Sequence, residues 1–483
     1  MADLDRSSLA LYGSRVGVSV IGFASTVYFA RAIGAEGLGI YFTVETVVVV
    51  LAVLARFGVD SAVVKRLSGA ADDAERARHL TGAFGLVLVP LAVVSLAVLL
   101  FADPLADLAD LPLAPLALVG MVVALLVVET GQWLLLSALR GERRLATSAG
   151  VEFGGEVLRV GTSVWFVLGG SGPVGLVYGL LIGHAARALV AGVLLDTGLA
   201  RPTRETMTSL VSFSKYTAGM NVSHLTYSWL DTLVLAVVVS KTAVGTYEAA
   251  WRVSLVVALA SSAVGAALAP NVSAWAASDA FERIEEAFTN SLSFALLLVV
   301  PAVVGAAVLG GPFMAVAYGF GGGALLAVLV AGQVAQAVKD VVQSTLLGLD
   351  RPRTVFVTNA VGLGTNLVLT VGLALAYGPL GAAVGTALTA AVVAVVQWRA
   401  LQSWLAARVD RRALAWQVGG ALVMGGVVVG ATRVVTPDSP VPLLALVALG
   451  ALTYGGVVSL HAPTRTRLVG LVQPNATGQA EGS

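Results

Sequence analysis

The seventh long apolar run of the chain carries a regular stripe of polar and ionisable side chains, and these residues are the best suited to chemistry. They are spaced four, three, four and three residues apart, which places Thr217, Asn221, His224, Ser228 and Asp231 on one face of a helix. Such a face is costly to expose to lipid, so it must lie against protein or water. The pattern leaves two interpretations open: a hydrated cavity for a polar ligand, or a dry seam between helices.

A second stripe lies in the tenth apolar run, where Gln333, Gln336, Asp340 and Gln343 share a helix face and Lys339 lies beside them. Ionisable residues at membrane depth indicate a functional cavity by default, with structural ion pairs and interfacial side chains as the alternatives. Seven cations lie at such depth, enough to hold an anionic head group if several converge. They are Arg15, Arg56, Arg159, Arg187, Lys215, Arg252 and Lys339.

Acidic residues within the apolar runs are candidates for binding a cation or a proton. Glu45 and Glu129, in the second and fourth runs, join Asp231 in this group. Glu248 precedes Arg252 by four residues, which is the favourable order for an intrahelical ion pair. Arg252 is therefore open to two roles, as the structural partner of Glu248 or as a ligand for an anion.

The sequence contains few residues or motifs that indicate enzymatic chemistry. The chain has four histidines and no cysteine, and it contains no HExxH, GxSxG or Walker A motif. Asp103, Asp107 and Asp110 share one short polar segment, for which an acidic surface loop is the expected interpretation. The sequence therefore predicts neither an enzyme nor a metal or cofactor site.

Fourteen apolar runs position these residues. With 57% hydrophobic and 12% charged residues, the chain is typical of a polytopic membrane protein. Each run is long enough to cross the bilayer as a helix. The predicted spans are Leu11–Ala30, Leu38–Leu54, Leu80–Phe101, Leu113–Ser137, Val151–Leu168, Val174–Leu195, Leu210–Val239, Gly245–Leu268, Ser291–Gly310, Ala324–Leu347, Val355–Tyr377, Leu380–Ala400, Leu414–Val434 and Val441–Leu460.

The basic residues of the loops are distributed unequally. Of the 29 Lys and Arg residues, nineteen fall in the loops on one side of the predicted spans, and three fall on the other side, Arg31, Lys241 and Arg433. Because basic residues accumulate in cytoplasmic loops, both termini are predicted to be cytoplasmic.

The chain repeats itself at an offset of about 206 residues. Gly39 and Tyr41 correspond to Gly245 and Tyr247, and the segments GPVGLVYG and GPLGAAVG lie the same distance apart. The offset covers six spans, an even number, so both copies have the same orientation in the membrane. The repeat predicts two lobes related by an axis along the membrane normal.

The predicted domains follow from this repeat. Residues 1–205 form the first six-helix lobe, 206–410 the second, 411–467 an additional helix pair and 468–483 a disordered tail. Transporters built from such lobes alternate access by rocking one lobe against the other around a site between them. The sequence thus predicts an all-α integral membrane protein of about fourteen transmembrane helices.

One predicted loop carries an amphipathic pattern. Phe281, Ile284 and Phe288 recur at helical spacing within the segment Ala276–Phe288, which also contains charged residues. This pattern predicts a short helix that lies on the cytoplasmic membrane surface.

Four groups of residues recur in an order and spacing known from one family. They are Arg31 with Ile33-Gly34, Phe57-Gly58 followed by Lys65, Asp231 followed by Gly245, Tyr247 and Ala250, and Asn366-Leu367 followed by Gly378, Gly381, Ala382 and Ala383. Together they make residues 5–400 resemble the polysaccharide-biosynthesis (Wzx-like) flippases of the multidrug/oligosaccharidyl-lipid/polysaccharide exporter superfamily.

The resemblance implies a flippase in the plasma membrane. Its substrate would be an oligosaccharide on a polyprenyl phosphate or diphosphate, moved from the cytoplasmic to the outer leaflet. Cations that would bind the head group are Arg15, Arg31, Arg252, Lys215 and Lys339, although Arg31 falls at the outer rim. Cavity and coupling residues would be Glu45, Glu129, Asn221, His224, Ser228, Asp231, Glu248, Gln336 and Asp340.

The resemblance also implies partners and a source of energy. Membrane lipids and polysaccharide-assembly proteins would be partners, nucleic acid would not, and H⁺ or Na⁺ would be the coupling ion. A cation-coupled multidrug antiporter of the same fold is one alternative, but its cavity should be acidic, and seven deep cations disfavour it. A polyprenyl-dependent glycosyltransferase is the other, and the short outer loops disfavour it.

Overall fold

The computed structural model describes the backbone of residues 2–460, and the side chains of those residues except 2–12, 15, 16, 216, 219–228 and 260. Every regular element in that part of the chain is an α-helix, and ten of these helices are long and apolar enough to cross a membrane. The helices are α1 (Ala2–Arg56), α2 (Val59–Gly69), α3 (Asp73–Leu100), α4 (Ala102–Ala109), α5 (Pro115–Gly141), α6 (Leu145–Leu168), α7 (Gly172–Leu194), α8 (Arg204–Val238), α9 (Lys241–Ala276), α10 (Phe281–Tyr318), α11 (Gly323–Gly348), α12 (Pro352–Leu401), α13 (Arg411–Thr432) and α14 (Pro440–Ser459).

Each of the fourteen predicted spans lies within one of these helices, with at most two residues beyond its end. α1 and α12 each contain two predicted spans, while α6 and α8 contain one each but are not among the ten helices with membrane-spanning composition. The all-helical, multi-pass character is therefore confirmed. The number of fourteen crossings and the cytoplasmic side of the termini stay predictions.

α12 is a helical hairpin rather than a single rod. Gly378 interrupts it with φ 61° and ψ −141°, a conformation that residues with a Cβ avoid. On either side of this turn the two arms face each other, because Gln397 Nε2 donates to Thr358 Oγ1 at 3.1 Å. Nearer the turn, a Cβ on Gly381 would lie 1.8 Å from the carbonyl oxygen of Leu373. The glycine turn thus separates two predicted spans that run antiparallel.

α1 folds back in the same way about Gly34, which has φ 71° and ψ 179°. Tyr41 Oη accepts a hydrogen bond from Arg159 Nη1 at 3.3 Å, and a Cβ on Gly22 would lie 3.9 Å from Glu156 Oε1. An uninterrupted helix would separate residues 22 and 41 by about 28 Å. Because both residues reach the same turn of α6, the first two predicted spans must form a hairpin.

Three helices that follow predicted cytoplasmic loops begin with a side-chain cap. Asp72, Thr203 and Asp410 precede α3, α8 and α13, and each accepts a hydrogen bond from the backbone N–H three residues later. These caps satisfy donors that the first helical turn leaves without a partner.

The chain divides into two compact units, Met1–Ala249 and Ala250–Ser483. The division lies inside α9, so α8 packs as part of the first unit. The lobe boundary at residues 205 and 206 describes the sequence repeat and stays a prediction. In the first unit, α2, α3, α5 and α8 share an apolar core that includes Val63, Leu80 and Leu210.

The second unit has its own core, formed by α9, α10, α11 and α12. Ile284 and Phe288 are fully buried in it. The predicted surface helix at Ala276–Phe288 is therefore wrong, since α9 ends at Ala276 and α10 starts at Phe281. Ile284 and Phe288 face the protein core as part of the first turns of a long helix, while Phe281 at its start is exposed.

Candidate functional site

Glu129 of α5 is a buried carboxylate that joins three helices of the first unit. It accepts hydrogen bonds from Gln132 Nε2 and, at 2.9 Å, from Trp133 Nε1 on its own helix. His184 Nδ1 of α7 lies 2.9 Å from Glu129 Oε2, and Arg56 Nη1 of α1 lies 3.8 Å from Oε1. The Arg56 guanidinium also stacks over the Trp133 ring at 5.3 Å. Glu129 thus has partners for both of its oxygens.

Glu156 of α6 is the centre of a second ion cluster in the first unit. Arg159 Nη2 lies 2.6 Å from Glu156 Oε1, and Arg187 Nη2 of α7 lies 2.7 Å from Oε2. Arg159 also donates to the Tyr41 hydroxyl at 3.3 Å, and that hydroxyl donates to Glu45 Oε1 at 3.1 Å. The predicted cavity residue Glu45 therefore lies at the end of a chain of polar contacts that begins at Glu156.

These two clusters contain three of the seven cations that the sequence places at membrane depth. Arg56, Arg159 and Arg187 all have carboxylate partners within the first unit. A buried charge is tolerated when it is paired and hydrogen-bonded. For these three residues the contacts favour structural ion pairs over ligand binding.

The last turns of α8 and the first turns of α9 are joined by two side-chain hydrogen bonds, each between residues sixteen positions apart in sequence. The Tyr247 hydroxyl donates to Asp231 Oδ2 at 2.5 Å, and Thr232 Oγ1 donates to Glu248. Asp231 and Glu248 are both buried. The structure therefore brings together two predicted coupling carboxylates, Asp231 and Glu248. Of their two partners, Tyr247 was noted in the sequence repeat and Thr232 was not.

The remaining members of the polar stripe of α8 divide into two groups. Thr217 donates to the carbonyl oxygen of Gly58 at 2.9 Å, which links α8 to the turn before α2. The side chains of Asn221, His224 and Ser228 lie outside the described residues, as does that of the predicted cation Arg15. The choice between a hydrated cavity and a dry seam stays open for this stripe.

The stripe of α11 forms a hydrogen-bonded cluster inside the second unit. Asp340 accepts from Gln336 Nε2 at 2.8 Å and from Ser261 Oγ at 3.2 Å, and Lys339 Nζ lies 3.4 Å from Gln336 Oε1. Gln333 Nε2 donates to Ser254 Oγ at 3.3 Å. Three predicted site residues, Gln336, Lys339 and Asp340, are thus neighbours at the interface of α9 and α11.

A second polar cluster in this unit contains only one residue of the predicted stripes, Gln343. Gln397 is fully buried in the second arm of α12, and its Nε2 atom contacts Thr358 Oγ1 at 3.1 Å, Asn359 Oδ1 at 3.2 Å and Gln343 Oε1 at 3.4 Å. Isolated amides in apolar runs gave little signal, because their partners come from another arm and another helix.

The predicted head-group cations lie in different surroundings. Arg31 and Lys215 are exposed in the first unit. In the second unit Lys339 is buried, and Arg252 is partly buried and acts electrostatically on the hydroxyl of Tyr318. That hydroxyl is buried and makes no hydrogen bond among the described residues. Arg252 carries a guanidinium, a group whose N–H donors a phosphate can accept.

Metal binding has no support within the described residues, since no group of three or more His, Asp and Glu side chains there is arranged to hold an ion.

Two family profiles match the sequence. The profile described as polysaccharide biosynthesis protein matches residues 5–275, more than half of the chain. A profile described as MatE matches residues 217–371.

Two curated proteins of Haloferax volcanii are similar to the chain over nearly its whole length. The probable low-salt glycan biosynthesis flippase Agl15 is 29% identical over 466 residues, which cover 96% of this chain and 97% of that protein. The probable flippase AglR is 29% identical over 485 residues, which cover 97% and 98%. Both are named as flippases rather than as enzymes, in agreement with the prediction from the sequence.

Solved structures share the fold. The inward closed conformation of the lipid II flippase MurJ has a TM-score of 0.79 at 15% identity, with 95% of this chain and 99% of that chain covered. The inward-facing conformation of a multidrug resistance MATE family transporter of the MOP superfamily has a TM-score of 0.60 at 18% identity, with coverages of 81% and 94%. At these identities the likeness concerns the fold alone.

Proposed function

Because the chain belongs to the polysaccharide biosynthesis protein family, we propose that it is a flippase for a lipid-linked oligosaccharide. The observation that carries the proposal is the similarity, over nearly the full length, to two proteins named as flippases. Sugars and phosphates cannot cross hydrocarbon unaided, because each buried polar group costs free energy unless it is hydrogen-bonded. A flippase must therefore supply polar groups for the head group while the lipid tail stays in the bilayer.

The proposed transport runs from the cytoplasmic to the outer leaflet of the plasma membrane. It proceeds by alternating access of the two lobes that the sequence repeat defines, 1–205 and 206–410. The proposed topology has fourteen crossings with both termini in the cytoplasm, and the unequal distribution of loop cations supports it.

The orientation can be tested by single-cysteine labelling, since the chain has no native cysteine. Asp107 and Arg201 are both exposed, and they lie on opposite sides of the proposed topology. Asp107→Cys should react with a membrane-impermeant maleimide in intact cells, and Arg201→Cys should react only after the cells are opened. The reverse pattern would overturn the proposed direction of every span.

Arg252 is the proposed anchor for the lipid phosphate, with Arg15, Arg31, Lys215 and Lys339 as the other proposed head-group cations. Its partly buried position in a spanning helix supports this role. A guanidinium can donate two parallel hydrogen bonds to a phosphate, a geometry that an ammonium group lacks.

The decisive experiment measures transport of a polyprenyl-diphosphate-linked oligosaccharide in vesicles that contain the purified protein. A lectin added outside detects the glycan that has crossed. The parent should transport, Arg252→Ala should not, and Arg252→Lys should retain part of the activity because a point charge survives. Arg353→Ala, which removes an exposed arginine at the start of α12, is the matched control and should transport normally. Normal transport by Arg252→Ala would exclude the phosphate role, and absence of transport by the parent would contradict the flippase.

A cation-coupled multidrug antiporter is the second candidate, because the MatE profile matches residues 217–371. Either function would draw energy from an H⁺ or Na⁺ gradient, with Asp231 and Glu129 as the proposed coupling carboxylates. Export of a cationic dye by the same vesicles, independent of Arg252, would favour the antiporter. Transport of the glycolipid that stops when one gradient is collapsed would identify the coupling ion.

A further inference from the structure

Two helices of the first unit touch through their backbones at a pair of glycines. A Cβ placed on Gly39 of α1 would lie 1.7 Å from the carbonyl oxygen of Lys241 in α9, and a Cβ on Gly245 would lie 1.9 Å from the carbonyl oxygen of Ala35. No residue other than glycine fits at either position without separating the helices. We call this contact of Ala35, Gly39, Lys241 and Gly245 the outer crossing, since the proposed topology puts it near the outer face.

The outer crossing is reciprocal, and it obeys the sequence repeat. Ala35 and Lys241 differ by 206 residues, and so do Gly39 and Gly245. The glycine of each copy meets the residue of the other copy that lies four positions before the equivalent glycine. A self-complementary contact of this kind lies on the two-fold axis that relates the two copies.

A second observation ties the outer crossing to the predicted outer loop. Lys241 Nζ donates to the carbonyl oxygen of Leu108 at 2.5 Å and to that of Ala236 at 3.4 Å. Leu108 lies in α4, which follows the outer end of α3, and Ala236 lies in the last turn of α8. One ammonium group thus fastens α4 and the end of α8 to the first turn of α9.

We propose that the outer crossing is the seal that closes the transport path toward the outside and that it separates in each transport cycle. This inference rests on the proposed alternating-access function. In a transporter made of parallel repeats the path follows the axis that relates them, and the outer crossing lies on that axis. A contact on the axis near the outer face blocks the path at that end for as long as it is closed.

The chemistry of the outer crossing suits a contact that forms and breaks. Small residues let the two backbones approach without interlocking side chains, so the helices are held by dispersion and weak Cα–H···O contacts. The hydrogen bonds of Lys241 to the carbonyl oxygens of Leu108 and Ala236 add directed interactions at the start of α9. Separation at the two glycines themselves therefore breaks no interlocking of their own side chains, and water can solvate the backbone groups that are released.

The hairpin of α12 contains an equally close contact that cannot open. A Cβ on Gly381 would lie 1.8 Å from the Leu373 carbonyl oxygen, which matches the distances at the outer crossing. A turn at Gly378 joins the two arms of this hairpin, so they stay together in every state. Gly381→Ala is accordingly a control with the same steric clash and no seal to disturb.

The experiment uses Thr46→Cys as a reporter in the full-length protein. Thr46 is fully buried and lies seven residues after Gly39, on the same face of α1 and two turns deeper. In intact cells an impermeant maleimide should label this cysteine slowly in the parent. With Gly39→Ala or Gly245→Ala added, labelling should rise at least about fivefold and glycolipid transport should fall, because the closed state is penalised.

Two control variants and two further variants complete the experiment. Gly131→Ala, at a span position with open space around it, and Gly381→Ala should leave the labelling of the reporter unchanged. In the double variant Gly39→Ala/Gly245→Ala, labelling should be little higher than in either single variant, because each single change already disrupts the same contact. Lys241→Met, which keeps the backbone contact, should raise labelling less than Gly39→Ala does.

Loss of transport by Gly39→Ala without a rise in labelling would overturn the seal, because the contact would then be only structural. Unchanged labelling together with normal transport would overturn it as well. If the parent does not transport the glycolipid but labelling still responds to the glycine variants, the seal stands and the proposed substrate is wrong.

Discussion

The buried polar clusters around Glu129 and Glu156 in the first unit and around Gln397 in the second unit are built from different chemistry. In the first unit, Glu129 and Glu156 each have cationic or strongly polar partners from their own helix and from other helices. In the α12 hairpin of the second unit, neutral amides and hydroxyls around Gln397 hold the arms together. Polar residues in apolar runs therefore differ in how much stability is lost when a partner is removed. An ion without its partner remains charged in a medium of low dielectric constant, whereas an amide carries no charge.

The largest expected effect is that of Glu156→Ala, because it leaves the cations Arg159 and Arg187 without their carboxylate. Breaking a buried ion pair by removing one partner costs about 3–5 kcal/mol. We expect a large loss of folded protein, measured as yield and as melting temperature in detergent. Glu282→Ala removes an exposed carboxylate from the first turn of α10 and should change neither quantity. Equal stability of the two variants would break the comparison between the units.

Glu129→Gln should have the next largest effect, a loss of about 2–3 kcal/mol, as expected for hydrogen bonds to a charged group. It is smaller because glutamine keeps an acceptor for Trp133 Nε1, and because Arg56 lies 3.8 Å from the carboxylate. Adding Arg56→Gln should restore part of the stability, since the remaining buried charge is removed. Strict additivity of the two changes would show that Arg56 and Glu129 are not energetically coupled.

Gln397→Leu should cost less, about 1–2 kcal/mol, because it removes neutral hydrogen bonds and leaves no charge behind. Thermal unfolding of the purified protein should show this order directly. A loss that exceeds that of Glu156→Ala would reverse the comparison and make the amide cluster the more important anchor.

Arg76→Ala should have the smallest effect, within about 0.5 kcal/mol of the parent. Arg76 and Asp73 form an ion pair of 2.9 Å, but the side chain of Asp73 is 94% exposed. A short distance at the surface is therefore expected to contribute little, in contrast to the buried pairs. A melting temperature well below that of the parent would show that α3 depends on this pair.

Much of the fold could be predicted because lipid imposes simple rules on composition. Each apolar run lies within a helix or passes its end by at most two residues, although several helices extend well beyond their runs. Gly378 stood in a repeat motif before its role as a turn was visible. The amphipathic stripe at Ile284 and Phe288 misled because a protein core and a membrane surface select the same spacing.

The candidate site was less accessible to prediction from the sequence. The position of Glu129 and of Arg56 at membrane depth in the sequence identified each of them separately. Their pairing depends on how α1 packs against α5, which no local pattern encodes. The i+3 and i+4 spacing of Gln132 and Trp133 after Glu129 was a signal that could have been used. For Gln397 no such signal exists, because its partners lie nearly forty residues or more away along the chain.

The glycine turn of α12 has a consequence for biogenesis. A continuous helix of 50 residues would be about 75 Å long, more than twice the roughly 30 Å of hydrocarbon it has to match. With a turn at Gly378 instead of a loop, neither arm can enter the bilayer far ahead of the other, so the two arms are expected to leave the translocon as one inserted unit. Because the turn is so short, we also expect that end of the hairpin to be a poor site for proteolytic cleavage or antibody binding.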